Sequence, residues 1–466
     1  MKFKHFLTGM ALAAAVTSQA ADAKYIFYFI GDGMGLGPVM ATAAYNRMVR
    51  GSEQLPLMMT FPVAGQVMTY SASSGITDSA AAGTALASSH KTKNGMLGMD
   101  ADTVAVYSIA EDLKKHGYGI GVISTCNPDD ATPGAYYAHV DKRSEFETID
   151  RQFIDGKVDF LAGASLKGLK DKDGNDNGTL ALYDKNKIRV AHGLDELAKI
   201  DRNNASKIIL LDKNPFQSGN VGYAIDAIPG NLTLPQMTQA CLDYLEAKSP
   251  DRFFMMVEGG VIDHALHGND GFTAIREIEN FNEAMEIAYK FYLAHPDETL
   301  IVVSADHDTG GMALGNKENG YVLRLERLQG QKVSKEMFSD YCKKVIASGG
   351  KYTWADMEKY LKDNLGFWGV MPVTEKQTEK LREQFEKTFV KGNDSGEKTL
   401  YNDFNGFASA VFKVMSTNAA VGWTTTAHTG GMVPVYAIGA GAEKFSSFNN
   451  NTQLPVKIME AAGYKF

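Results

Sequence analysis

The sequence predicts an α/β fold: a large, mostly parallel central sheet flanked by helices, with acidic and histidine side chains collected at the carboxyl ends of its strands. Three observations predict it. Continuous apolar runs recur at 25–30, 119–124, 253–257 and 300–304, the pattern of strands buried on both faces. Helical patterns lie between these runs, and strands that alternate with helices pair in parallel. Each run is also followed by a carboxylate, at Asp32, Asp130, Glu258 and Asp306. In open sheets of this kind ligands bind at that edge.

Composition narrows the class. Of 466 residues 44% are hydrophobic, enough for a large core. The formal net charge of −8, without a basic stripe, argues against a nucleic-acid surface and suits a protein that gathers divalent cations. Cys126, Cys241 and Cys342 allow one disulfide at most, so this is no disulfide scaffold. At the N-terminus Lys2 and Lys4 precede an apolar run over 6–16, followed by Ser18-Gln19-Ala20 and Ala21-Asp22-Ala23. That is the layout of a secretory signal peptide, expected over 1–23 with cleavage after Ala20 or Ala23. The run is too short to span a membrane and no later stretch reaches about 18 apolar residues, so the expectation is an exported protein, periplasmic or secreted.

The first strand ends in Gly31-Asp32-Gly33-Met34-Gly35-Leu36-Gly37. A dinucleotide loop would need glycine at Leu36 or Pro38, so a nicotinamide or flavin site is not supported. What remains is Asp32, a carboxylate at a strand end among glycines too small to cover it. Thr77-Asp78-Ser79 then precedes an alanine-rich helix over 80–87. Ser79 stands at the helix start, where free N–H groups and the dipole favour an anion such as phosphate, although Asp-Ser is also an ordinary cap. After the 119–124 strand, Asp130 and Thr132 offer hard oxygen ligands and Arg143 a planar fork for a phosphoryl group. Cys126-x-Pro128 matches the start of the sulfatase signature Cys-x-Pro-x-Arg, but Asp130 occupies the arginine position.

From 151 to 249 strand-like and helical pieces alternate, among them 207–211 and 234–245, and read as scaffold. One stretch, Asp173 to Asp184, nearly matches a calcium loop, with Asp in place of Glu at the twelfth position, and is a candidate surface Ca2+ site. The densest ligand group follows the 253–257 strand: Glu258, Asp263, His264 and His267. A helix starting near Asp263 puts Asp263 and His267 on one face, a two-pronged metal grip; the plainer alternative is a polar turn with solvated histidines. A long amphipathic helix over 274–293 leads to the 300–304 strand and Asp306-His307. A last motif, Thr424 to Gly431, places His428 before an apolar run at 433–438. Between these, from 316 to 420, helical patterns come without buried strands, a mainly helical insertion whose charged faces read as solvated surface. Four or more carboxylates at one edge cannot all stay ionised without cations. Histidine mixed with aspartate suggests zinc, and the oxygen-only group of Asp32, Thr132 and Glu258 suggests magnesium.

In this order and spacing, Asp32-Gly-Met-Gly, Thr77-Asp78-Ser79-Ala-Ala, Asp130-Ala-Thr132-Pro with Arg143, Glu258 through His267, Ala305-Asp306-His307 and Ala427-His428-Thr429-Gly430 resemble the alkaline phosphatase family. The resemblance spans nearly all of a catalytic domain over 24–466 and is weakest in the insertion. It implies that Asp263, His267 and His428 hold one zinc ion and that Asp306, His307 and Asp32 hold a second. Asp32, Thr132 and Glu258 would bind a magnesium ion, reached by Asp130 directly or through water. The expected cofactors are therefore two Zn2+ and one Mg2+ per chain. Ser79 would be the nucleophile, activated by zinc and passing through a phosphoserine, while Arg143 clamps the phosphoryl oxygens. Many small phosphomonoesters would serve as substrates. His264 has two open roles, a water-mediated contact with phosphate or help at the third ion, and His139 fits the motif without one. Family members are commonly dimers, so a homodimer is an expectation. Two alternatives stand beside this reading. A phosphodiesterase of the same superfamily typically lacks the third site, and a non-catalytic exported metal-binding protein needs neither Ser79 nor Arg143.

Overall fold

The computed structural model describes residues 22–216 and 218–466. Most of the expected signal peptide, with the cleavage point after Ala20, lies outside the described residues. Ten strands form one sheet: β1 (Tyr25–Gly31), β2 (Val63–Met68), β3 (Gly119–Ser124), β4 (Phe160–Gly163), β5 (Ile188–His192), β6 (Lys207–Leu211), β7 (Phe253–Gly259), β8 (Thr299–Ser304), β9 (Val433–Gly439) and β10 (Ser447–Asn450). Their spatial order is β10-β2-β9-β8-β1-β7-β3-β4-β6-β5. All neighbours run parallel except β9, which is antiparallel to both β8 and β2. The expected α/β class is observed.

The four apolar runs singled out in the sequence are the four adjacent central strands, β8, β1, β7 and β3. Their side chains are almost entirely buried, as expected where helices cover both faces. Register is flush: Ile30 lies opposite both Glu258 and Ser304, and Glu258 lies opposite Ser124. The loops that follow therefore leave the sheet side by side. On one face the helix Gly271–Ala294 packs across β1, with Phe281 edge-on to Phe29 at 5.5 Å between ring centres. Burying an aromatic ring of this kind contributes about 2–3 kcal/mol. The helix Leu234–Lys248 opens with a reciprocal cap between Thr233 and Gln236 and a proline in its first turn, a start written locally in the sequence.

Residues 316–420 contain four longer helices, Lys335–Ala347, Trp354–Leu365, Glu375–Phe385 and Gly406–Asn418, and none of the ten sheet strands. They pack on their own aromatic cluster, with Phe338 stacked on Tyr360 and Phe385 edge-on to Phe407. A short hairpin, Glu397–Lys398 paired with Asp403–Phe404, belongs to this unit. Buried Lys335 ties the unit to the core, donating to Gly268 O at 2.9 Å and pairing with Glu397 at 2.6 Å.

All three cysteines are buried and unpaired, within the limit of one disulfide that their number sets. The stretch read as a calcium loop is a turn closed by its own side chains. Asp171, upstream of the motif, accepts the N–H groups of Asp173 and Asn175, while Asp184 pairs with Arg189 at 2.5 Å. The near-match in spacing arises because Asp-Gly and Asn-Gly serve turns as readily as ions.

Candidate metal centre and active site

Sheet register brings Asp32, Glu258 and Asp306 to one rim. Asp263 and His267 sit one turn apart on the helix Val261–His267, with Oδ2 3.3 Å from Nε2, as their spacing predicts. His428 reaches the rim from the opposite direction. It precedes β9, whose reversed sense puts its starting end where the other strands finish. A two-residue ladder then pairs His428 with Thr309 and Thr429 with Asp308. His428 Nε2 stands 3.1 Å from His267 Nε2 and 3.9 Å from Asp263. His307 Nε2 lies 3.4 Å from Asp32 and 3.1 Å from Asp306. Two groups of ligand atoms thus converge to within 4.8 Å, Asp263 with His307 and His428, and Asp32 with Asp306 and His307.

The hydrogen bonds behind these imidazoles decide what faces inward. His267 Nδ1 meets Thr426 O at 2.6 Å, and His428 Nδ1 meets Thr77 O at 2.9 Å. A carbonyl only accepts, so both Nδ1 atoms carry the proton. Thr309 Oγ1 donates to Asp263 Oδ1 and can then accept from His307 Nδ1, 3.2 Å away. In neutral imidazoles all three Nε2 lone pairs therefore point at one another, at carboxylates or, for His307, also at the Ser79 hydroxyl. Lone pairs facing anions repel unless a cation lies between them, and this is the arrangement expected of metal-ligating histidines. Four buried oxygens at the same rim, Asp32 Oδ1, Asp263 Oδ2, Asp306 Oδ2 and Thr132 Oγ1, accept or donate no hydrogen bond. The residues present fit divalent metal ions.

Charge balance agrees. Burial works to raise the Asp263 carboxyl, but where protons take the place of a cation, positive charge on His267, then His428 and His307, outweighs it and holds it well below the usual carboxylate range. Asp306 is lowered against the same burial by His307. Asp32 has no such compensation: burial, then the charges of Asp306, Asp263 and Glu258, push it well above its ordinary value. Burial also pushes Glu258 up to about 8, against a hydrogen bond from Ser124. The rim holds more acid than its imidazoles balance, and the surplus sits where the oxygen ligands gather.

Ser79 begins the helix Ser79–Ser88, capped by Asp78, whose carboxylate accepts from Ala81 N at 2.9 Å. Its Oγ is 3.1 Å from His307 Nε2. Arg143 is braced from two sides, donating to Asp130 at 2.8 Å and lying 3.6 Å from Asp78. Burial opposes ionisation of Asp130, but Arg143 and Lys167 bring it down to about 2. Asp130 is thus committed first to holding Arg143. A narrow cleft is lined by Asp32, Ser79, Asp130, Thr132, Arg143 and Glu258 together with Cys126, His264 and Tyr401.

A family model for alkaline phosphatase matches residues 23–464. The chain belongs to the alkaline phosphatase family. It is 31% identical to alkaline phosphatase 4 of Bacillus subtilis (strain 168) over 454 residues, covering 94% of this chain and 89% of that one. It is 29% identical to alkaline phosphatase 3 of the same organism, covering 95% and 90%. Among solved structures, the cold-active alkaline phosphatase of a psychrophilic Shewanella species is similar with a TM-score of 0.78 and 27% identity, covering 94% of this chain and 99% of that one. As an alkaline phosphatase the protein is a metal-dependent phosphoric monoester hydrolase.

The structure gathers every predicted ligand of this alkaline phosphatase at one rim, together with Ser79 and Arg143. His264 lines the cleft with its ring but engages both nitrogens elsewhere. Gly222 N donates to Asn220 Oδ1 at 2.8 Å, so Asn220 Nδ2 faces His264 Nδ1 at 3.3 Å, and Nε2 carries the proton toward Cys126 Sγ at 3.6 Å. Neither nitrogen offers a lone pair to an ion. Burial lowers its pKa to about 4, so the ring stays neutral. Asp78, quoted in the Ser79 motif and read there as a possible cap, is the helix cap and also lies beside Arg143. Three functional neighbours escaped the sequence reading. Thr309 lies beside a recognised motif and could have been found there. Lys167, 3.9 Å from Asp130, and Tyr401 come from distant segments with no local signal.

Proposed function

We propose that this protein hydrolyses small phosphate monoesters to an alcohol and inorganic phosphate through a covalent phosphoserine on Ser79. The observation that carries this reading is Ser79 Oγ, held 3.1 Å from His307 Nε2 where a helix N-terminus meets the metal-ligand groups. Asp263, His267 and His428 would hold one zinc ion, and Asp32, Asp306 and His307 a second. Asp32, Thr132 and Glu258, with Asp130 beside them, would hold magnesium. When bound, the ions supply Lewis-acid chemistry, easing loss of the serine proton and neutralising charge on the departing oxygen.

The chain's own groups do the rest. Ser79 Oγ attacks phosphorus, the Oγ–P bond forms, the ester P–O bond breaks, and the alcohol departs with a proton. Arg143 and the free N–H groups of the helix's first turn hold the equatorial oxygens. Because Asp78 and Asp130 already fix the guanidinium, little ordering is left for the substrate to induce. Water then cleaves the phosphoserine, returning a proton to Ser79 and releasing phosphate. Recognition rests on the phosphoryl group, so the range of alcohols is broad. Export through the N-terminal signal peptide belongs to the same proposal.

The test is kcat/KM for an aryl phosphate monoester and the matching diester, on protein loaded with zinc and magnesium, beside Ser79→Ala. Monoester preference should be strong and should fall by roughly a thousandfold or more without the nucleophile. Diester preference would transfer the protein to the phosphodiesterases, and no turnover of either would leave a metal-binding role.

A further inference from the structure

The helical insertion sends one side chain into the cleft. Tyr401 lies in the turn between the paired segments Glu397–Lys398 and Asp403–Phe404, far in sequence from every metal ligand. Its ring stacks on His264 at 3.8 Å between centres and 26° between planes, and stands edge-on to His267 at 5.4 Å. His264 is itself immobilised by Asn220 and Cys126, so the phenol rests on a fixed platform. Tyr401 lines the same cleft as Ser79 and Arg143, and its hydroxyl makes no hydrogen bond to another described residue. A part-exposed tyrosine lining this cleft, whose hydroxyl has no acceptor among the described residues, has a donor free for a ligand oxygen.

We propose that Tyr401 donates a hydrogen bond to a phosphoryl oxygen of the bound ester and of product phosphate, as a second donor beside Arg143. This rests on the phosphomonoesterase reading above. His264 then acts as a positioning residue for Tyr401, rather than as an ion ligand or a phosphate contact. The insertion becomes part of the substrate site instead of a surface appendage.

The experiment compares Tyr401→Phe and Tyr401→Ala with the wild type in zinc- and magnesium-loaded enzyme, reading KM, kcat and the inhibition constant of inorganic phosphate. Phenylalanine keeps the stack on His264 and removes only the donor. Both variants should weaken phosphate by roughly tenfold and raise KM similarly, with kcat unchanged or higher because product leaves faster. Wild-type behaviour of Tyr401→Phe, with Tyr401→Ala alone impaired, would reduce the residue to packing and overturn the proposal. Unchanged phosphate inhibition in both variants would also overturn it. Absence of monoester turnover in the wild type would instead sink the functional reading, so the two failures are distinguishable.

Discussion

Each inward-facing imidazole of the metal centre is aimed by an oxygen behind its Nδ1: Thr426 O for His267, Thr77 O for His428 and Thr309 Oγ1 for His307. The acids need room as well as aim. Gly33 has φ +68°, and a Cβ there would stand 2.6 Å from Asp263 Oδ1 and 2.9 Å from Thr309 Oγ1. Gly33→Ala should therefore cost about 1 kcal/mol in backbone strain and, by displacing Asp263, weaken zinc roughly 10–100-fold, measured by competition with a chelator. Zinc affinity equal to wild type would show that Asp263 has freedom the packing does not suggest. At this scale the candidate ligands were legible, because Asp, His and Ser at strand ends and helix starts are chemically conspicuous. Their supports were not. Thr426 O and Thr77 O act through backbone carbonyls, which every residue carries, and Asn220 reaches His264 only through a long loop.

At the level of elements, the central strands declare themselves because burial on both faces demands unbroken apolar runs. The outer strands β2 and β5 are half-exposed and β4 is only four residues long, so none leaves such a run. The helix Phe146–Asp155 carries a cost that no pattern reveals. Its Asp150 is 1% exposed, and neither carboxylate oxygen has a partner. It lies against Gly168, whose N–H is taken by buried Asp129 at 3.1 Å. Burial, then the charge of Asp129, raises Asp150 well above its ordinary 3.8. A folded-state value above the unfolded one means its contribution is fully present below about pH 3.8 and is lost as pH rises through the folded value. Asp150→Asn removes that loss, so its Tm should gain on the wild type between about pH 5 and about pH 8. The gain should be of the order of 1–3 kcal/mol, the usual cost of an unpartnered buried polar group. Thermal melts at both pH values check it, and a gap that does not widen with pH would mean the carboxylate is satisfied.

For the molecule as a whole, the N-terminal boundary can be argued from packing. Ala23 is fully buried, its N–H donates to Ala461 O at 2.8 Å, and its carbonyl accepts from Tyr118 OH at 2.7 Å. Cleavage after Ala23 would discard those contacts, whereas cleavage after Ala20 keeps them. The proposed export through a signal peptide therefore predicts a mature chain beginning at Ala21, which intact mass of secreted material will read; a start at Lys24 would contradict it. By itself the sequence determined the α/β class, the row of acidic and histidine side chains along one sheet edge and the case for cations there. Those follow from local chemistry: apolar runs must be buried, and clustered carboxylates must be neutralised. Only the tertiary structure decided that β9 is reversed, that His264 commits both nitrogens to Asn220 and Cys126, and that Tyr401 lines the cleft from the insertion. These depend on which distant segments meet, and strand direction, tautomer and reach are set by partners that lie far apart along the chain.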